Sequence, residues 1–471
     1  MTFARPGHLT SRSFSVAVVV TVATVATTVR PASTAPDLAI DEVTFRSGDV
    51  MLHGTVFAPR PAGPRRPGIV LVHGSGPGPR VEYSAEARAF ARAGVVTLSY
   101  DKRTVGYSLL RRSYSQLADD ALAAVHVLRA RSDVNAATVG LWGESEGGWV
   151  APLAASRSAD VTFLVLVGAS GVSPARQQAW FLGNQLRQAG VSGSMLHAIP
   201  VTGVRLLVGA GLFAEPDYDP APVLERVRQP VLALWPARDI VHPPEESSRI
   251  LQQALAHGGN THYTIRFCAE AEHCYHSLPE TSHPVNDVGP AYIDRAASWV
   301  ANLAGGLPTG SADSPPRQDR QSPTLTPLAW YEAIWVQLGA LILCVVAFSG
   351  YFVAAAVRRV RGGRGAPRVA LYARVLAATG LIAVVGFVAY LGYVLATSAM
   401  GVRPLIAGRA PGWLVLQLLA LIVVGATMAT ATGLWRDRHR VARGERARLG
   451  LLLLGGMAFM VAALYWGLLV P

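Results

Sequence analysis

A serine, an acid and a histidine, following one another along the chain, are the residues best suited to chemistry. Gly143-Glu144-Ser145-Glu146-Gly147 is the one G-x-S-x-G pattern in the sequence. It lies between the strand-like "TVGLW" and the helix-compatible "GGWVAPLAAS". That context suits a sharp strand-to-helix turn that lifts a serine oxygen clear of the backbone. The flanking glycines let the chain pass closely there. A serine hydroxyl is a weak nucleophile at neutral pH and needs a base, itself oriented by an acid. Ser145 is therefore the candidate nucleophile. Asp239 follows the apolar run "VLALW" and is the candidate acid. Glu245 and Glu246 are alternatives, but they open a helical pattern, where acids suit the helix dipole in any case. His273, just after "YTIRFC", is the preferred base over His276. His242 lies too close to the acid, and His257 and His262 flank a Gly-Gly-Asn turn. The tetrahedral intermediate of acyl transfer also needs two N–H donors for its oxyanion. The backbone of Glu146 supplies one. Ser75, in His73-Gly74-Ser75-Gly76, is the first choice for the other, with Gly76 second.

These residues need a scaffold that gathers them. Between residues 37 and 304, short apolar runs ("GIVLVHG", "VVTLSYD", "TVGLWGES", "VTFLVLVGAS", "VLALWPARD", "YTIRFC") alternate with amphipathic helical patterns. Such alternation predicts an α/β domain, with a parallel sheet covered on both faces. The helical, less regular residues 174–229 are expected to cap the sheet's C-terminal edge.

The segments "HGSGPGPR", "LSYDKRTVGYS", "LADDALAAVHVLR", "GLWGESEGGWVAPLAA", "DPAPVLERVRQPVLALWPARDIVHPPEES" and "AEHCYHS" occur in that order. Together they resemble the dienelactone hydrolase-like, acyl-esterase branch of the α/β-hydrolase superfamily, over about residues 53–303. The resemblance implies an eight-stranded, mostly parallel sheet. It also implies esterase or thioesterase chemistry without metal or cofactor, and the roles of nucleophile, acid and base for Ser145, Asp239 and His273. Thr104, Glu144 and the pair Pro236-Ala237 depart from the usual pattern, so no particular substrate follows from relatives. Cys268 and Cys274 bracket the histidine closely enough for a disulfide in an oxidising compartment.

Composition adds a membrane. The chain has 471 residues, 51% of them hydrophobic, 15% charged, with a net charge of +12. A soluble domain usually carries about 25% charged residues. Fourteen arginines and three acids lie in residues 326–471, leaving 28 basic and 27 acidic residues elsewhere. The excess charge thus belongs to the hydrophobic tail, which points away from nucleic acid and toward a lipid bilayer. Four uncharged stretches, about 333–357, 375–400, 411–435 and 450–470, are each long enough to span one. The loops between the first and second and between the third and fourth are rich in arginine, which places both in the cytoplasm. The hydrolase domain is then extracytoplasmic. Residues 1–36, with Arg5, His8 and Arg12 before an apolar run, read as a signal peptide or N-terminal anchor with the same consequence. Residues 305–328, rich in Pro, Ser and Gly, read as a flexible linker.

The expectation is a multi-pass cell-membrane protein whose outer domain is a serine hydrolase for a small acyl ester or thioester. A peptidase with the same triad is the first alternative. The second is a sensor or assembly protein whose hydrolase-like domain only binds.

Overall fold

The computed structural model describes residues 38–61, 63–108, 110–268, 289–361, 369–439 and 441–471. A hairpin of β1 (Leu38–Ser47) and β2 (Val50–Pro59) opens the sheet, with β2 also antiparallel to β4 (Val96–Tyr100). From there β3 (Arg66–Val72), β5 (Val134–Glu144), β6 (Leu164–Val167), β7 (Val231–Pro236) and β8 (Tyr263–Cys268) all run parallel. The strand order is β1-β2-β4-β3-β5-β6-β7-β8-β9, where β9 is the two-residue Ser311–Ala312.

Period-two alternation within the strands builds two cores. Val70 and Val72 of β3 and Val231, Ala233 and Trp235 of β7 face one side. There they meet α2 (Tyr114–Arg129), α3 (Gly147–Ala155) and α8 (Pro244–His257). Ile69, Leu71, Leu232 and Leu234 face the other side, against α1 (Ser84–Arg92) and α9 (Gly289–Asn302). A slip of one residue in β3 would exchange the two faces, so register is strongly fixed.

Residues 174–229 hold α4 (Pro174–Gln188) and α5 (Met195–His197), which continues through a π-helical turn (Ala198–Gly203) into α6 (Val204–Gly209) and then α7 (Ala221–Leu224). Four long apolar helices close the chain: α10 (Ile334–Val360), α11 (Ala370–Ala396), α12 (Pro411–Arg436) and α13 (Arg443–Tyr465). Their most apolar windows have mean hydropathy of 2.0 to 2.4, and each helix is long enough to cross a membrane. Helix α13 starts ahead of its apolar stretch because Arg and Glu are good helix formers and prolong it. Leu182, Leu186, Ile199 and Val204 of α4–α6 share one apolar core with Leu376, Trp413 and Phe459 of these helices. That core is separate from the two cores of the sheet. The other side of α4 reaches the sheet domain through Gln177 and Asn184, whose amides donate to the carbonyls of Val241 (2.8 Å) and Ile240 (3.1 Å).

The structure differs from the sequence reading at residues 305–328. Rather than hanging free, this stretch contributes β9 beside β8, so the described sheet has nine strands rather than eight. Backbone N–H groups of Gln318 and Ser322 donate to Glu245 (2.8 Å) and Glu246 (3.0 Å) at the start of α8. Arg176 and Arg205 hold Ser322 (2.7 Å) and Glu332 (2.7 and 2.9 Å). A segment with few apolar residues is fixed here by polar contacts, which composition does not reveal.

Candidate active site

Ser145 stands between β5 and α3 with φ of 52°, in the left-handed region that non-glycine residues rarely occupy. Such strain persists only when the surroundings over-determine it. Here the Ser145 N–H donates to Val167 O (3.0 Å), and the Gly148 N–H donates back to Ser145 O (2.9 Å). Close packing demands the neighbouring glycines. A Cβ on Gly147 would sit 2.3 Å from Val72 O, and one on Gly143 would sit 2.3 Å from Gly147 O.

Asp239 follows β7, separated from the Ser145 turn by β6 alone in the sheet order. Parallel strands deliver both residues to the same C-terminal edge. Asp239 is buried, and its Oδ1 accepts the backbone N–H groups of Val241 (2.8 Å) and His242 (2.9 Å). These bonds fix the carboxylate in a turn. The alternatives Glu245 and Glu246 begin α8 and accept from residues 318 and 322 instead. His273 and His276 lie outside the described residues, as does Cys274 and hence the Cys268–Cys274 pair.

Two backbone donors stand near the serine. Among the described residues, neither the Ser75 nor the Glu146 N–H donates to a protein acceptor. The second choice, Gly76, differs: its N–H donates to Tyr107 Oη at 3.1 Å. The Gly74 N–H donates to Tyr83 Oη (3.2 Å), and the Tyr83 hydroxyl donates in turn to buried Glu144.

Sequence reasoning missed the polar cluster beneath this loop. The Glu146 side chain is fully buried. Lys102 Nζ donates to its Oε1 (3.0 Å), as does the Tyr107 hydroxyl (2.9 Å), while Arg112 pairs with Oε2. Lys102 also donates to the carbonyl of Gly74 and to Tyr107 Oη (3.3 Å). One sequence signal was available. Lys102 is the single lysine among 42 basic residues, and composition alone gives no reason for the exception.

His73, which ends at the same loop, is buried beside Tyr83 and Tyr100, with ring centroids 4.6 and 6.0 Å away. Burial, helped by the nearby Lys102 charge, pushes its pKa down to about 3, so its ring is neutral at physiological pH. Among the described residues no group of three His, Cys, Asp or Glu is placed to hold a metal ion.

No family model matches the chain. The chain is similar to esterase EstD of Thermotoga maritima, with 26% identity over 295 residues, covering 55% of this chain and 69% of that one. Among solved structures, a hyperthermophilic esterase from Pyrobaculum calidifontis is 18% identical, with a TM-score of 0.42, over 56% of this chain and 84% of its own. An acylaminoacyl peptidase of Pyrococcus horikoshii is 16% identical, with a TM-score of 0.41, over 58% of this chain and 43% of its own. A dienelactone hydrolase-like promiscuous phosphotriesterase from metagenomic libraries is 15% identical, with a TM-score of 0.40, over 56% of this chain and 98% of its own. The four apolar helices lie outside these similarities. The strand order, the antiparallel β2 and the strained serine after β5 make the sheet-bearing half of this chain an α/β-hydrolase fold.

Proposed function

We propose that the protein is a membrane-anchored serine hydrolase of acyl esters or thioesters. The observation that carries this reading is the strained Ser145 turn, facing a loop whose Ser75 N–H has no protein acceptor among the described residues. Likeness to an esterase over more than half the chain supports the reaction class.

The reaction proceeds in two halves. Ser145 Oγ attacks the acyl carbon while its proton passes to His273, which Asp239 holds in the required tautomer. The carbonyl oxygen becomes an oxyanion held by the N–H groups of Ser75 and Glu146. Collapse breaks the C–O or C–S bond, and His273 returns the proton to the departing alcohol or thiol. Water then attacks the acyl-enzyme by the same route, releasing the acid and restoring Ser145. The four apolar helices anchor the domain, and through their shared core with α4–α6 they hold the cap against the membrane surface. The arginine-rich loops, cytoplasmic by the positive-inside rule, support an extracytoplasmic hydrolase domain.

A fluorophosphonate probe on the full-length protein in detergent tests the chemistry. Wild type should be labelled stoichiometrically and Ser145→Ala not at all, with ester turnover in the variant reduced on the order of 10³-fold or more. An unlabelled but folded wild type, or equal labelling of Ser145→Ala, would refute the nucleophile. Hydrolysis of aminoacyl amides faster than short acyl esters would favour a peptidase instead.

A further inference from the structure

We infer that Lys102 is a positioning residue that aims both oxyanion donors. The inference rests on the serine-hydrolase reading and extends it to how the site is held. In a planar trans peptide the C=O of one residue and the N–H of the next point in opposite directions. The Gly74 carbonyl and the Ser75 N–H share one such unit. Lys102 Nζ grips that carbonyl, which turns the Ser75 N–H the other way and polarises it as a donor. The Gly74 N–H is held separately by Tyr83, so the loop is fixed through two consecutive peptide units. At the same time Lys102 binds the buried carboxylate of Glu146, whose backbone carries the second donor. One ammonium thus ties the Gly74–Gly76 loop to the serine turn, two segments about 70 residues apart in sequence.

Lysine suits this place and arginine does not. An ammonium has three donors on a compact centre, and here it meets three acceptors: Gly74 O, Glu146 Oε1 and Tyr107 Oη. A guanidinium is a planar fork with fixed spacing and a larger head. Lys102 is only 5% exposed, so there is no room for that head to find water. Every other basic residue in the chain is arginine, including Arg112 on the opposite oxygen of the same carboxylate. The one lysine stands where geometry asks for a point donor.

A misaimed donor weakens transition-state stabilisation and leaves ground-state binding alone. Losing an oxyanion donor outright costs roughly 10²–10³ in kcat, so loosening two should cost on the order of 10–100-fold. The experiment compares wild type with Lys102→Met and Lys102→Arg, using a short soluble ester and a trifluoromethyl ketone, which forms a hemiketal oxyanion on the serine. Both variants should lose kcat on that scale with KM within about threefold of wild type. The ketone's inhibition constant should rise in proportion to the loss in kcat/KM. Tyr107→Phe, a milder change at a half-buried position, should show the same pattern on a smaller scale and covers the case in which the Lys102 variants do not fold. An unchanged ketone constant alongside reduced kcat, a change confined to KM, or full activity of Lys102→Arg would overturn the proposal. A wild type that fluorophosphonate does not label would instead remove the serine reading on which it stands, so the two failures are distinct.

Discussion

Acid should destabilise the hydrolase domain through His73, and by an amount that follows from its surroundings. The free side chain titrates near 6.5, whereas the buried ring titrates near 3. Between these values the unfolded chain binds a proton that the folded one refuses. Stability therefore rises with pH across this window and is lost as pH falls below 6.5. Each pH unit inside the window is worth about 1.4 kcal/mol, so moving from pH 7.5 to 4.5 removes roughly 2–3 kcal/mol from this one group. For a domain of this size that corresponds to a fall in Tm of about 5 °C. Carboxylates also titrate in this range, so the test needs a partner protein that lacks only the imidazole. Thermal unfolding of the full chain in detergent, followed at both pH values, should be compared for wild type and His73→Gln. The variant starts lower at pH 7.5, because it loses the ring packed against Tyr83, but its Tm should fall by several degrees less on acidification. Equal falls for the two proteins would refute the assignment of the acid sensitivity to His73.

Gly147→Ala should unfold or grossly destabilise the domain, since the new Cβ meets the Val72 carbonyl at 2.3 Å and neither backbone can yield without distorting β3. Overpacking of this kind typically costs about 1–3 kcal/mol and more against rigid backbone; Tm and probe labelling should fall together, and a variant matching wild type in both would contradict the packing described. A reporter enzyme that works only when exported, fused after Pro471, should be active if all four apolar helices cross the membrane, because an even number of crossings returns the C-terminus to the proposed side of the hydrolase domain. A reporter active only in the cytoplasm would reverse the orientation.

The sheet-bearing half was legible because its signals are local. Short continuous apolar runs between helical patterns specify strands buried on both faces, and a serine between glycines after such a strand specifies the turn. That Val70 and Leu71 face opposite cores was not legible in the uniform run Ile69-Val70-Leu71-Val72 and came from the structure. The four apolar helices were equally plain, because a bilayer demands about 20 apolar residues and little else. Asp239 could be placed after its strand, though not the two backbone N–H groups that fix its carboxylate.

What sequence alone determined about this protein is therefore its periodicities: the α/β alternation, the Ser145 turn and the four long apolar helices. Tertiary structure decided the pairings between distant segments. Lys102 meets Glu146 because the ends of β4 and β5 converge at one sheet edge, and Arg112 arrives from the loop before α2. The acids of α8 capture residues 318 and 322, turning a stretch that reads as a linker into a strap beside a ninth strand. Helices α4–α6 bury their apolar sides against the four long apolar helices, so residues 174–209 and the C-terminal helices share one core. None of these contacts has a period or a spacing. Each exists because folding brings a buried charge or an apolar face to the partner that can satisfy it.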